Sequence, residues 1–464
     1  MIRVLRSLVP TSVFVLLLSE SVLTLSCYIL AATLVLDVDP YLFLVYDGGL
    51  LRCLLAVCGI IVGLYFTDLY NQVRVRSEVD LFWRLCEVIG IAFISQALLG
   101  YPFKGFSLTL PRSIMFYGSA FSLAGLFLWR ILYGSIVVRR LGSQRVLLLG
   151  ANPVNQEIAV HTAERPEIGL TIIGYVDDIA PDAPLGGGKL LGSIKDLRGI
   201  VEIAKPDRIV VGMSERRARM PVYELLEMRF GGIQVEEAGT AFELVCGRVS
   251  TNELRPAQLI FSGELGPKPM SVLLQSFYSF VIAFAGALLA IPLMLLVAVA
   301  IKLTSRGPIL FRQTRTGQGG KEFVLYKFRS MNASAEATTG PVWATKDDPR
   351  VTPFGRFLRR FRLDELPQLV NVLLGDMSIV GPRPERPEFV RVLTEQIPYY
   401  RQRHCVKPGI TGWAQINHKY GDSVEDTIRK LEYDLYYIKN LSPSLDAYII
   451  FQTLKTMLLA RGSQ

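Results

Sequence analysis

Long apolar runs decide what this chain can become. They lie near residues 9–36, 50–67, 83–101 and 114–138, with one more at 271–303. Each reaches or nears the ~20 residues that cross a bilayer as a helix. The first is too long, and its flanks too unlike a cleavage site, for a signal peptide. A membrane protein is therefore expected. Glu20, Arg84, Glu87 and Arg130 fall within or beside these runs. They are expected to face neighbouring helices or to snorkel.

Basic residues set the orientation. Arg3 and Arg6 precede the first run, and the acidic loop at Asp37 and Asp39 carries no Lys or Arg. Arg74 and Arg76 follow the second run; Arg139, Arg140 and Arg145 follow the fourth. Only Lys104 and Arg112 oppose the pattern. The positive-inside rule then puts the N-terminus and everything from residue 139 in the cytoplasm. The run at 271–303 contains Pro292, which removes a helix hydrogen bond and kinks the axis. A kinked spanning helix and a re-entrant hairpin compete. Lys268 before the run and Lys302 and Arg306 at its end favour re-entry: helix, break at Pro292, helix.

Between the membrane parts, about 143–262, strand-like and helix-like stretches alternate as in a parallel, doubly wound sheet. "RVLLLGANPVNQEIAV" reads as strand, turn at Gly150, helix. Asn152 and Asn155 stand where a dinucleotide fingerprint has glycines, so NAD is not expected. Asp177 either holds a ribose or simply ends a strand. "GGGK" at 186–189 lacks the spacing of a phosphate loop. The six cysteines and three histidines form neither a disulfide framework nor a metal site. The net charge of +9 suits an anionic membrane surface, a phosphorylated ligand or nucleic acid, but no zinc-finger or basic-zipper spacing supports the last.

In "RFRLDELPQL", residues 360–369, two adjacent acids, Asp364 and Glu365, follow Arg356, Arg359, Arg360 and Arg362. One reading is local: Asp364 caps a helix, Pro367 sits in its first turn, and Gly375 stops it. The other is chemical: a basic helix N-terminus binds phosphate and keeps Asp364 ionised as a nucleophile. Glu365 would then help hold Mg²⁺. Phe354, Phe357, Leu358 and Phe361 make the preceding segment an amphipathic helix suited to lipid headgroups.

"KFRSM", "LDELPQL", "GDMSIVGPRPE", "KPGITGWAQI" and "YDLYYIKN" occur in that order over residues 327–440. The set resembles the bacterial sugar transferase family, the polyprenyl-phosphate hexose-1-phosphate transferases, in its large form. The resemblance implies a membrane α plus α/β protein. Its parts would be a four-helix transmembrane bundle (1–142), a Rossmann-like domain (143–262), and a C-terminal α-rich catalytic domain (263–464) with the re-entrant helix and interfacial amphipathic helices. It implies transfer of a sugar-1-phosphate from a UDP-sugar to undecaprenyl phosphate, releasing UMP, as the first membrane step of exopolysaccharide, capsule or O-antigen synthesis. The enzyme would sit in the bacterial inner membrane with its catalytic domain on the cytoplasmic face; a homodimer is expected, and no nucleic acid.

The resemblance also implies the site residues. Asp364 is the nucleophile and Glu365 its partner, both near Mg²⁺ or Mn²⁺. Lys327, Arg329, Arg359, Arg383 and Asp434 bind substrate, and Pro292 makes the re-entrant bend. Many members have Ser-Pro at that bend, whereas here Pro292 follows Ile291. Two other readings stay open at this point: an NAD-dependent sugar-modifying enzyme, and a non-catalytic membrane scaffold.

Overall fold

A computed structural model describes residues 2–4, 7–9, 11–36, 39–70, 78–100, 110–134, 144–165, 168–178, 188–213, 220–251, 266–331, 350–418 and 423–459. Arg74, Arg76, Lys104, Arg139, Arg140, Gly186 and Gly187, which the sequence reading uses, lie outside these residues. The chain divides into two compact units, one of residues 1–4, 8–152 and 159–236, the other of residues 5–7, 153–158 and 237–464.

The first unit opens with helices α1 (Thr11–Val35), α2 (Gly49–Phe66), α3 (Glu78–Gly100) and α4 (Arg112–Leu132). All four are long and apolar enough to cross a membrane. α1 packs on α2 and α4, and α3 on α2 and α4, around one shared core that includes Tyr28, Ile60, Leu85 and Leu126. Small residues permit the close approach: a Cβ on Gly118 would stand 2.5 Å from the Tyr28 ring. The expected helix-facing charges are explained at one pair. Arg130 Nε and Nη2 donate to the two Glu20 carboxylate oxygens at 2.6 and 3.1 Å, and Nη1 donates to the Leu69 carbonyl at 2.8 Å. Both residues are buried. A charge pair shielded from lipid must be mutually satisfied, and the bidentate fork does that. Arg84 pairs instead with Asp80, one turn away.

The α/β part of the same unit is a five-stranded sheet. Its strands are β1 (Gln144–Leu149), β2 (Leu170–Val176), β3 (Leu190–Gly192), β4 (Arg208–Val211) and β5 (Gln234–Glu237), in the order β3-β2-β1-β4-β5. β1 pairs in parallel with both β2 and β4, as the doubly wound reading requires. Leu147, Leu148 and Leu149 are buried because a central parallel strand is covered on both faces. Gly150 turns the chain at φ +96°, and a Cβ there would meet the Gly212 carbonyl at 2.7 Å. Asp177 Oδ2 accepts the Ala151 backbone N–H at 2.8 Å. It therefore ties the turn to the end of β2.

Helices α5 (Pro153–Glu164), α6 (Leu197–Ala204) and α7 (Val222–Phe230) fall between these strands in chain order. In the second unit, helix α8 (Ala238–Cys246) is followed by α9 (Pro269–Thr304). The residues after α8 are fastened to the catalytic part: Arg248 Nη1 donates to Glu432 Oε2 at 2.7 Å, and Trp413 Nε1 donates to the Gly247 carbonyl at 2.7 Å. The expected domain boundary at 262 lies outside the described residues.

α9 departs from the expected helix–break–helix. It is assigned as one 36-residue α-helix with Pro292 in its interior. A proline removes one N–H bond, and the surrounding ladder continues on either side. The helix packs on its own unit near both ends. Gln275 and Ser279 reach Val380 and Ser378, Ala283 joins the core with Val372 and Leu325, and Val297 and Ile301 join Phe328 and Leu358. Around Pro292 it is bare, with Leu288 62% and Leu289 81% exposed.

The remaining elements build the site. β6 (Leu310–Thr316) and β7 (Glu322–Phe328) form an antiparallel hairpin. α10 (Pro353–Arg360), a 3-10 turn (Leu363–Glu365) and α11 (Gln368–Leu374) follow. β8 (Ser378–Val380) pairs in parallel with β9 (Gly409–Thr411). Helices α12 (Pro387–Gln396), α13 (Trp413–Asn417), α14 (Val424–Asn440) and α15 (Pro443–Leu458) complete the unit.

Candidate active site

The acid pair is placed by an unusual turn. α10 starts with Thr352, whose Oγ1 accepts the Gly355 N–H at 2.9 Å, and with Pro353 in its first turn. It ends at Phe361, and Arg362 then adopts left-handed backbone at φ +54°. For a non-glycine residue this conformation costs energy, and such outliers collect at functional sites. It swings the chain into the 3-10 turn that carries Asp364 and Glu365. The local reading of Asp364 as a helix cap is thereby corrected. α11 begins four residues later, at Gln368, behind Pro367.

The two carboxylates have different surroundings. Glu365 Oε1 accepts from Lys327 Nζ at 3.0 Å and Arg383 Nη2 at 3.3 Å, and its Oε2 lies 3.9 Å from Arg362 Nη1. Burial alone would raise the Glu365 carboxyl, but Lys327, Arg383 and Arg362 outweigh it and hold the group well below the usual carboxylate range. Asp364, only 7% exposed, moves the other way. Burial raises its pKa and the neighbouring Glu365 charge adds to this, against the pull of Lys327, Arg359 and Arg383. The expectation that the arginines keep Asp364 low is therefore reversed, because desolvation is the larger effect.

The other expected residues sort themselves by contact. Arg359 Nε donates to Ser330 Oγ at 3.0 Å and adds positive potential at Asp364. Arg383 enters from the "GPRPE" turn after β8, which is fixed by close backbone packing: a Cβ on Gly381 would lie 2.4 Å from the Lys407 carbonyl. Arg329 is not brought to the carboxylates. Its Nη2 donates to the Ser305 carbonyl and hydroxyl at 2.9 and 2.7 Å, where it holds the end of α9. Asp434 is 2% exposed and pairs with Arg403 at 2.8 Å. Burial pushes its pKa up to about 6 against the pull of Arg403. Motif reasoning names Arg362 only as part of the basic run and misses Ser330 and Arg403. Their signal is the left-handed turn and the burial, neither of which a motif reports.

Among the described residues no cluster of three or more His, Cys, Asp or Glu could hold a metal by itself. Mg²⁺ is commonly bound by one or two protein carboxylates completed by substrate phosphates and water, and Asp364 and Glu365 are the adjacent carboxylates of this site.

Comparison with known proteins identifies the family. Residues 270–460 match the bacterial sugar transferase family, and residues 65–220 match a family described as a CoA-binding domain. A UDP-glucose:undecaprenyl-phosphate glucose-1-phosphate transferase of Klebsiella pneumoniae is 33% identical over 406 residues, 83% of this chain and 84% of that protein. The chain belongs to the bacterial sugar transferase family. A UDP-N-acetylgalactosamine-undecaprenyl-phosphate N-acetylgalactosaminephosphotransferase of Aeromonas hydrophila is 42% identical over 247 residues. That match covers 53% of this chain and 54% of the Aeromonas protein, so the chain spans about half the length of that relative. An exopolysaccharide production protein of Rhizobium leguminosarum is 41% identical over 198 residues, 42% of this chain but 98% of that protein. As a member of this family with several long apolar helices, the chain is a membrane protein.

Proposed function

We propose that this sugar transferase moves a sugar-1-phosphate from a UDP-sugar to undecaprenyl phosphate, through a phosphosugar-aspartate at Asp364. The observation that carries this reading is the division between the adjacent acids. Glu365 is clamped by Lys327 and Arg383 and held well below the usual carboxylate range, whereas burial raises Asp364. Two carboxylates whose surroundings push their pKa values apart commonly take different roles.

Asp364 attacks the phosphorus that bears the sugar. The bond from that phosphorus to the UMP oxygen breaks, and UMP leaves with the electron pair. An oxygen of the lipid phosphate then attacks the same phosphorus, the bond to Asp364 breaks, and the carboxylate is restored. Lys327 and Arg383 hold Glu365 in place, and Arg383 faces the donor diphosphate. Arg359 supplies positive potential where the anionic groups meet. Asp364 and Glu365 would hold Mg²⁺ (or Mn²⁺), which supplies charge neutralisation when bound. No dinucleotide is assigned to the α/β part.

The exposed face of α10 supports action at a lipid surface. Phe357 and Phe361 are 48% and 37% exposed, next to exposed Arg356 and Arg360. The packing of α9 near both ends on one unit supports a re-entrant helix, with the catalytic unit on the cytoplasmic face of the inner membrane, where UDP-sugars are made. The decisive experiment uses UDP-sugar labelled in the sugar, without acceptor, quenched in denaturant. Protein-bound label should form on the native enzyme, chase off with undecaprenyl phosphate, and be absent from Asp364→Asn. Label on Asp364→Asn would move the nucleophile elsewhere.

A further inference from the structure

Asp434 stands one step removed from the carboxylate pair, and the step is Arg403. Arg403 Nε donates to Asp434 Oδ2 at 3.0 Å, Nη1 donates to the Tyr400 hydroxyl at 2.7 Å, and Nη2 donates to the Arg383 carbonyl at 3.0 Å. All three guanidinium nitrogens are therefore engaged, and the residue is 6% exposed. Its third contact falls on the backbone of the residue whose own side chain donates to Glu365 at 3.3 Å. The flanks of the same turn are tied as well: Arg315 Nη1 donates to the Pro384 carbonyl at 3.0 Å, and the Thr316 N–H donates to the Glu385 carbonyl at 2.9 Å. Left to itself, a Gly-Pro-Arg-Pro turn fixes φ at its prolines but not the direction of the arginine between them. Arg403 fixes that carbonyl.

We infer that Arg403 is a positioning residue. It sets the backbone of Arg383 so that the Arg383 guanidinium meets Glu365 and the donor diphosphate, and Asp434 acts through Arg403 without touching substrate. The alternative is that the buried Arg403–Asp434 pair merely holds α14 against the 3-10 segment at Tyr400–Cys405. A merely structural pair and a positioning pair differ in what they are coupled to. If Arg403 works through Arg383, its loss should matter only while Arg383 is there to be misplaced. A small misplacement of a substrate-holding group can cost roughly 100-fold in rate.

The inference rests on the proposed transfer for its kinetic readout, so the test also includes one that does not depend on activity. In full-length protein, Arg403→Lys should lower kcat/KM for the UDP-sugar by about 10- to 100-fold, with the metal saturating. In an Arg383→Ala background the same change should cost less than about twofold, as expected for residues that act through one another. Tyr400→Phe, which keeps the ion pair and removes only one hydroxyl, should show the same non-additivity with a smaller loss. The second readout is the thermal-denaturation coupling between Arg383→Ala and Glu365→Gln. It should be present in the native background and fall toward zero in Arg403→Lys. Equal kinetic losses with and without Arg383, or a coupling that Arg403→Lys leaves intact, would overturn the inference. So would an Asp434→Asn enzyme that loses transfer while Arg403→Lys keeps it, since Asp434 would then act on substrate itself. Failure of every UDP-sugar to react with native enzyme would count against the transferase reading alone, and the thermal coupling would still decide the role of Arg403.

Discussion

At the residue scale, the catalytic question is which acid is ionised when. Folded Asp364 has a raised pKa, so its anionic form is lost as pH falls through a value above the ordinary ~3.9 of aspartate. The acid limb of kcat/KM against pH should therefore lie above that value. Glu365→Gln removes a negative neighbour that raises the pKa and should move the limb down, even though the rate falls. Arg359→Ala removes a positive neighbour that lowers it and should move the limb up. pH profiles of both variants check this; limbs that stay put or shift together would mean that another group is titrating. The acids and the surrounding cations were legible in the sequence, because they are a matter of residue type and order. That Lys327 and Arg383 fasten on Glu365, and that burial dominates at Asp364, was not legible. Both depend on where distant segments meet: Lys327 is 38 positions before its partner and Arg383 is 18 after it.

At the element scale, the site depends on how tightly α10 lies against the end of β7. A Cβ on Gly355 would stand 1.9 Å from the Ser330 carbonyl, and backbone cannot yield as a flexible side chain can. The same segments are joined by the Thr352 N–H donating to the Ser330 carbonyl at 3.0 Å and by Arg359 on Ser330 Oγ. Gly355→Ala should force α10 outward, costing about 1–3 kcal/mol of stability. It should also lower kcat more than it changes the KM for the UDP-sugar, because Arg359 and the turn behind it move together. Thermal denaturation and steady-state kinetics test this; an unchanged midpoint would mean that α10 has room to spare. The sheet in the first unit and the apolar helices were readable from hydrophobic pattern. The start of α11 was not, since the sequence places good capping residues at Asp364 and the left-handed backbone of Arg362 decides otherwise. Nor was the continuity of α9: proline forbids one hydrogen bond, and the ladder on either side of it can still carry the helix on.

At the scale of the whole molecule, the number of crossings fixes where the chemistry happens. If α1 to α4 each cross, the chain returns to its starting side before the catalytic unit begins, and a full crossing by α9 would send that unit to the opposite face. The contacts of α9 speak against such a crossing. Gln275 Nε2, near its start, donates to the Val380 carbonyl at 3.2 Å and to Asp446 Oδ2 at 2.8 Å. Ile301, near its end, is buried with Phe328 and Leu358. Val380, Asp446, Phe328 and Leu358 all belong to the second unit, which supports the proposal that both ends of α9 lie on one side of the bilayer. The stretch between, bare at Leu288, Leu289 and Pro292, is the part left to enter lipid. Pro292 frees a helix carbonyl one turn before it, an acceptor that needs a donor from protein or from water at the interface, since lipid offers none. Single cysteines at Lys268 and Arg306, in protein lacking its six native cysteines, should both react with a membrane-impermeant maleimide from the cytoplasmic face and neither from the other. Reaction of the two positions from opposite faces would make α9 a spanning helix and would require an odd number of crossings before it.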